Sequence, residues 1–376
     1  MFSLSTSNMT IIQEKLEGLQ GVISNPSLVN SVHRLIISTI HLETAINGAN
    51  NLLEPTESGK TPLIIFLSAA LTSLPVFSKT KSLILEWPII LSDLLDSVIG
   101  LAISSRLPIE DLTLIMDDVP SQTFDKLPFL KVLALGKPSY KLQSPQGSQP
   151  QSGISIPDTV EYLFAENLVV APKVLFGLWR DGKIHQNLIS FELLLGRSFF
   201  PLFLQCLSFC PQMKYIVIHR SSRTTCNTPL HLPETSIPRL KTFIGPLELA
   251  LVIAPNRPIH CLGIIEEPWK ESTDKMILRD ITQLARSTGP VAKLSFTLRI
   301  ERRAVLNTIV NLFPALTLLN IGFHDERLPL KYEPETGIQV KDGHLEVNEP
   351  WNDADSLEKR PPGKSIGGYK VSFVDF

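Results

Sequence analysis

A short apolar pattern recurs along the chain and constrains its fold more than any other feature. A full copy has an apolar residue, two variable residues, an apolar residue, one variable residue and a last apolar residue, as in Ile259, Leu262 and Ile264, whereas one copy opens with Thr80 and another closes on Gly245. Nine copies are centred on residues 35, 83, 112, 133, 216, 243, 262, 294 and 319, and two looser candidates on 163 and 191. The alternation at the end of each copy predicts a short strand.

Prolines set this pattern apart from chance. In a chain so rich in apolar residues, about fifteen random matches to a pattern this loose are expected. In seven of the nine copies, however, a proline lies one or two residues before the first apolar position. Proline lacks an N–H and is tolerated at the start of a strand, so it marks the entry into each one. These prolines are Pro108, Pro128, Pro211, Pro238, Pro258, Pro290 and Pro314.

The segments between the predicted strands have helical character. After Phe296, for example, Val305, Ile309 and Leu312 fall on one face of a predicted helix. A strand and a helix alone leave an apolar face uncovered, so successive copies must stack on one another. The sequence therefore predicts an α/β fold, an irregular solenoid with a curved parallel sheet on its concave face and helices on its convex face.

The strings IPRLKTFIG, RPIHCLGI and NLFPALTLLNIG resemble the irregular leucine-rich-repeat region of fungal F-box-type proteins. The resemblance covers residues 200–325 well and 28–136 more loosely. It implies a non-catalytic protein-protein interaction scaffold, like the substrate-recognition array of an F-box ubiquitin-ligase adaptor, with an indirect link to a cullin-RING ligase. The F-box itself is not visible, because a repeat-like segment already begins at Ser31.

Changes in composition predict four parts. Residues 1–137 and 159–326 carry the N-terminal and C-terminal repeats. Residues 138–158 are rich in Ser, Gln and Pro and are expected to form a surface loop or linker. Residues 327–376 form a polar tail that is expected to be partly disordered, with one added strand at 369–374.

In a solenoid of this kind, the variable positions beside the buried strand residues form the contact surface. We expect Tyr215 and His219 to be its main anchors, because aromatic side chains dominate the energetics of interfaces. The complete predicted protein-binding set is Glu86, Asp111, Thr113, Tyr215, His219, Lys293, Ser295 and Asn320.

The balance of charge argues against nucleic acid as a partner. Lys and Arg total 35 and Asp and Glu total 37, whereas phosphate recognition depends on clustered positive charge.

The first residues show no basic stretch followed by an apolar one, so no secretory signal is expected. Four cysteines without a regular framework favour reduced thiols, and hence the cytoplasm or the nucleus.

Motifs for catalysis, cofactors or metals are weak. Gly59-Lys60-Thr61 resembles the end of a phosphate-binding loop, but Glu54 stands where that loop needs glycine. Cys206 and Cys210 lie four residues apart without a second paired cluster, so they are interpreted as core residues rather than zinc ligands. We therefore expect no catalytic residues, no cofactor and no metal.

Two alternatives remain open at this point. The chain could be an α/β enzyme whose site residues are too scattered to recognise, in which case its sheet would have a switch point with a pocket. Residues 61–78, an uncharged run, could associate with a membrane, but a buried core helix is the preferred interpretation, because this run only just reaches the length of a span.

Overall fold

A computed structural model describes residues 6–38, 69, 72–86, 95–116, 119, 124, 126–136, 153–220, 229–265, 272–298, 303–323, 337–341 and 344–347. The chain divides into two compact units. The first unit contains residues 1–139 and 150–177, and the second contains 140–149 and 178–376. The sequence-based division instead separates the two groups of repeats at 138–158.

The first unit has five parallel strands that follow one another in chain order. Its second helix is capped at the N-terminus, because the side chain of Asn25 accepts hydrogen bonds from the N–H groups of Ser27 and Leu28. The strands are β1 (Arg34–Ser38), β2 (Ser82–Glu86), β3 (Asp111–Ile115), β4 (Val132–Leu135) and β5 (Tyr162–Ala165), and the helices are α1 (Thr6–Ile23), α2 (Pro26–Ser31) and α3 (Leu95–Ser104).

Helix α4 (Val170–Asp181) contains the division between the two units, after residue 177. The second unit has six parallel strands, again in chain order. They are β6 (Ser190–Leu195), β7 (Tyr215–Arg220), β8 (Thr242–Gly245), β9 (Cys261–Ile264), β10 (Lys293–Leu298) and β11 (Leu318–Phe323), and the helices are α5 (Phe200–Leu207), α6 (Leu247–Ile253), α7 (Asp274–Leu284) and α8 (Arg303–Leu312).

The register of the strands confirms the repeat pattern. All eleven predicted centres lie in these parallel strands, and within each unit they align with one another. Leu83, Leu112, Leu133 and Leu163 are successive partners in the first unit. In the second unit the partners are Phe191, Ile216, Phe243, Leu262, Leu294 and Leu319, and each is at most 2 % exposed. An α/β architecture with parallel strands and helices is thus confirmed.

The prolines precede a backbone arrangement that recurs before the strands. The N–H groups of Lys241 and Thr242 both donate to the carbonyl of Lys214, at 2.9 and 3.0 Å. One repeat later, the N–H groups of His260 and Cys261 both donate to the carbonyl of Lys241. The ladder therefore begins one residue before each strand. A proline lacks an N–H, but Pro238 and Pro258 lie two or three residues before the first of these donors, so they remove none of the hydrogen bonds.

The polar tail contains structure that the sequence analysis did not predict. Strands β12 (Gly337–Lys341) and β13 (His344–Val347) pair antiparallel with each other, and β12 pairs antiparallel with β11. Asp342-Gly343 separates the paired ends, and such a dipeptide favours a tight hairpin turn. The predicted strand at 369–374 lies outside the described residues.

The predicted loop at 138–158 is buried at its described end. Residues 153–157 are all buried, and the N–H of Ile154 donates to the carbonyl of Lys173 in α4 at 3.0 Å. The backbones approach so closely here that a Cβ on Gly177 would lie 1.9 Å from the carbonyl oxygen of Ile154. Residues 153–157 are therefore part of the core rather than a surface loop.

The uncharged run at 61–78 is described only in part. A 3₁₀ helix spans Leu74–Val76, and Leu74 and Phe77 are at most 1 % exposed. Most of the predicted core helix lies outside the described residues. No helix in the described part of the chain is long and apolar enough to cross a membrane.

Arg257 joins three segments of the second unit. Its side chain is only 2 % exposed, and all of its hydrogen bonds go to backbone carbonyls. Nε donates to Ser236 at 3.1 Å, and Nη2 donates to Pro233 at 2.8 Å. Nη1 donates to the end of α6 and beyond, at Ile253, Pro255 and Val252. Burial lowers the pKa of this guanidinium, and the charge of Glu234 opposes that shift.

Candidate functional site

Successive residues of a strand point to opposite faces of a sheet. In the second unit one face packs on helices, because Phe191 of β6 and Phe203 of α5 have ring centroids 6.4 Å apart. We call the strand residues on that side, such as Phe191, the helix-packed row. The residues that alternate with them along the strands form the opposite face. Its first row is Ser190, Tyr215, Thr242, Cys261, Lys293 and Leu318, and its second row is Glu192, Val217, Ile244, Gly263, Ser295 and Asn320.

The structure places five of the eight predicted contact residues on this face. Tyr215 and His219 lie on β7 and are half-buried, as are Lys293 and Ser295 on β10. Lys293, Ser295 and Asn320 line a small depression of about 10 Å³ with Cys261. The fifth residue, Asn320, is buried at 4 % exposure.

The other three predicted residues belong to the first unit. Glu86 is half-buried and accepts a hydrogen bond from the hydroxyl of Ser38 at 2.8 Å. Asp111 is 7 % exposed and accepts a hydrogen bond from Ser82 at 2.9 Å, and Thr113 is 3 % exposed. Asp111 and Thr113 are therefore too enclosed to form part of a contact surface.

Burial of Asp111, Thr113 and Asn320 corrects the expectation that every variable strand position is exposed. In an interior strand, side chains on both neighbouring strands lie within about 5 Å of a given position. Thr113 is an example, because its partners are Ile84 on β2 and Ala134 on β4, both buried. Small polar side chains between such neighbours lose their contact with solvent.

A carboxylate-imidazole pair was missed by the sequence analysis. Nε2 of His219 lies 3.2 Å from Oε1 of Glu192, which is 4 % exposed. A buried carboxylate is costly unless it is hydrogen-bonded, so this contact compensates Glu192 and holds the imidazole in place. Glu192 lies between Phe191 and Leu193, so the rule that selected the other contact residues, applied to this looser copy, would have found it.

Replacing His219 tests this pair. We expect His219→Ala to lower the free energy of unfolding by about 1–3 kcal/mol, because it removes a hydrogen bond from a buried carboxylate. His219→Gln keeps an amide donor and should cost less. Urea unfolding followed by circular dichroism measures both values. Equal stability of His219→Ala and the wild type would contradict a structural role for the pair.

Apolar residues interrupt the opposite face. Val217, Ile244 and Ile265 form a cluster of buried side chains at 5–7 % exposure. Val217 and Ile244 are register partners on β7 and β8, between the rows that carry Tyr215 and His219. The polar contact residues of β7 therefore lie at its two ends.

Cys206 and Cys210 are confirmed as core residues. Both thiols are fully buried, and Sγ of Cys210 lies 3.5 Å from the carbonyl oxygen of Cys206. Burial raises the pKa of Cys206 to about 12, against a smaller opposing effect of a hydrogen bond with the backbone of Trp179. Burial also raises the pKa of Cys210. Metal ligands are thiolates, which these environments disfavour.

The described residues contain no group of three or more His, Cys, Asp or Glu side chains that could hold a metal ion. Among them, no hydroxyl or thiol is hydrogen-bonded to the ring of His219. Within each unit the parallel strands keep chain order, so neither parallel array has the reversal that forms a ligand crevice in open α/β enzymes.

Comparison with known protein families finds no match, and no characterised protein is recognisably similar to the chain in sequence.

Proposed function

We propose that this protein is a non-catalytic scaffold for protein-protein interaction, built from irregular leucine-rich repeats. The observation that carries the proposal is the opposite face of the second unit. There, aligned parallel strands present Tyr215 and His219 on β7 and Lys293 and Ser295 on β10, with β8 and β9 between them, all on the side away from the helix-packed row. Rigid strands that present aromatic and polar side chains in register suit recognition of a protein surface.

The resemblance to F-box-type proteins extends the proposal. A substrate-recognition array of a ubiquitin-ligase adaptor would bind its target through such a face and connect it indirectly to a cullin-RING ligase. The cytoplasm or the nucleus fits this role, and the described cysteines Cys206, Cys210 and Cys261 form no disulfide with one another. Glu86 of the first unit remains a proposed contact residue, because it is half-buried rather than enclosed.

The test compares proteins captured by the full chain and by Tyr215→Ala. Truncating a central aromatic anchor typically costs 2 kcal/mol or more, so we expect at least one captured protein to fall by about tenfold or more. Quantitative mass spectrometry measures the difference, and binding of the purified candidate then confirms it. His219→Gln is the second variant, since it removes the ring but keeps a donor for Glu192.

Ile184→Ala is the matched control, because Ile184 is an apolar residue of the second unit with 57 % exposure, outside its strands. Retention of every captured protein by Tyr215→Ala and His219→Gln, as by the control, would refute the assignment of this face. Recovery of cullin-ligase components would support the adaptor role and would show that docking does not need a visible F-box.

A further inference from the structure

The residue that immediately precedes each strand occupies an equivalent place in every repeat. Except at Glu161 and Thr317, the last residue of each unit's series, its carbonyl accepts two successive N–H groups from the next repeat, as Lys81 does from Glu110 and Asp111 at 2.8 and 3.0 Å. We call these residues the edge row, because parallel strands all begin at the same edge of a sheet. In the first unit the row runs His33, Lys81, Glu110, Lys131 and Glu161, and in the second it runs Ile189, Lys214, Lys241, His260, Ala292 and Thr317.

In the first unit the edge row is neutralised internally. Nζ of Lys81 lies 2.8 Å from Oε1 of Glu110, and Nζ of Lys131 lies 3.9 Å from its Oε2. The hydrogen bond from Lys81 lowers the pKa of Glu110 despite a small opposing effect of desolvation. These distances show that edge-row side chains of adjacent repeats reach one another. Opposite charges alternate along this row.

In the second unit the edge row is basic without interruption at its centre. Lys214, Lys241 and His260 follow one another in three adjacent repeats, where strand spacing places them about 4.8 Å apart. Lys241 and His260 are exposed, and Lys214 is half-buried. Among the residues that the structure describes, no carboxylate forms an ion pair with Lys214 or Lys241. Like charges at such neighbouring positions repel, so an external anion would stabilise them.

Two nearby groups reinforce the positive charge. Arg239, two residues before Lys241, is exposed and donates to the neutral side chain of Gln212. Lys293 is the first residue of β10, one residue beyond the edge row. Glu234, an acid in the loop before β8, accepts a hydrogen bond from Asn256 at 2.9 Å.

We propose that the basic edge row of the second unit, Lys214, Lys241 and His260, docks an acidic peptide segment of the protein partner. This inference rests on the proposed function and specifies the chemistry of its ligand. Lys214, Lys241 and the adjacent His260 span about 10 Å, which a few consecutive Asp and Glu side chains can match. A nucleic-acid backbone is the poorer fit, because its affinity grows with the number of phosphates neutralised and this row can neutralise only a few.

The experiment measures fluorescence polarisation of a labelled peptide of alternating Glu and Gly with the full chain at low ionic strength. We expect Lys214→Glu with Lys241→Glu to weaken binding by about tenfold or more, because two attractive contacts become repulsive. Added salt should weaken wild-type binding, since exposed charges are screened beyond about 10 Å at 0.1 M. Lys214→Ala with Lys241→Ala should give a smaller loss, and it keeps the test valid if charge reversal impairs folding.

Lys81→Glu with Lys131→Glu is the matched control, because it makes the same change of charge at the same repeat positions in the first unit. It should keep the wild-type affinity. Unchanged affinity in both second-unit variants, or an equal loss in the control, would overturn the proposal. So would an oligothymidylate that binds as tightly as the peptide.

The two experiments distinguish failure of the edge-row proposal from failure of the proposed function. Loss of capture in Tyr215→Ala, together with no peptide binding by the wild type, would refute the edge-row proposal and leave the scaffold role intact. Peptide binding that depends on Lys214 and Lys241, with capture unaffected by Tyr215→Ala, would support the edge row and refute the proposed face.

Discussion

Arg257→Met should lower the free energy of unfolding of the second unit by about 3–5 kcal/mol. Methionine preserves most of the length and the apolar stem of the side chain but has no donor. The substitution removes hydrogen bonds to five carbonyl groups, of which the shortest are those to Pro233 and Pro255, at 2.8 and 2.9 Å. The enclosed carbonyls of Ser236 and Ile253 lose a donor and account for most of this expected loss, whereas the carbonyl of Pro233 keeps the N–H of Ser236 as a partner.

The size of this effect reflects the position of Arg257 among three segments. Its side chain connects the loop before β8 to the C-terminal end of α6, where helix carbonyls lack partners within the helix. Its own carbonyl accepts the N–H of Thr288, in the loop before β10, at 3.0 Å. A positive charge is also favourable beside the C-terminal carbonyls of α6, where the helix dipole is negative.

Urea unfolding followed by circular dichroism measures the loss. Arg257→Lys should be intermediate, because a lysine has three donors where the arginine uses its forked geometry. Arg239→Met is the control, since Arg239 is exposed, and a change of about 0.5 kcal/mol or less is expected there. If Arg257→Met unfolds at the same urea concentration as the wild type, the guanidinium does not support these loops.

Gly177→Ala should destabilise the first unit by about 1–3 kcal/mol, or more if the backbone cannot shift. The added Cβ would lie 1.9 Å from the carbonyl oxygen and 2.6 Å from the carbonyl carbon of Ile154. Both atoms belong to the backbone, so no side chain can rotate to make room. Relief of the clash requires residues 153–157 to separate from α4.

Gly100→Ala is the matched control, because Gly100 is also a helical glycine but has no atom within 4 Å of an added Cβ. Alanine favours a helix over glycine, so this variant should be more stable by about 0.5–1 kcal/mol. Thermal unfolding of both variants gives the comparison. Stabilisation by Gly177→Ala as well would show that residues 153–157 do not pack on α4 in solution.

Pairing each strand with its neighbours also defines what the two edge rows can do. In the first unit, Glu110 forms ion pairs with both Lys81 and Lys131, so the charges of its edge row neutralise one another. The row of Lys214, Lys241 and His260 has no such alternation of opposite charges, which is why the proposed ligand is anionic. The sequence lists these charges, but only the register shows which of them are neighbours.

The sequence by itself determined the eleven parallel strands. Their apolar residues recur at a fixed local spacing, and their prolines mark where a strand can begin, so neither property depends on distant parts of the chain. Even the looser copies around Leu163 and Phe191 proved to be strands β5 and β6. The helix-packed rows follow from the same period.

Only the tertiary structure decided the exposure and the partners of the strand side chains that alternate with the helix-packed rows. Burial of Asp111, Thr113 and Asn320 depends on the neighbouring strands, whose register partners are 17 or more residues away. The same is true of the contact between Glu192 and His219, 27 residues apart. A local period predicts that a residue lies on a strand, whereas exposure and partners depend on which remote residues the register brings beside it.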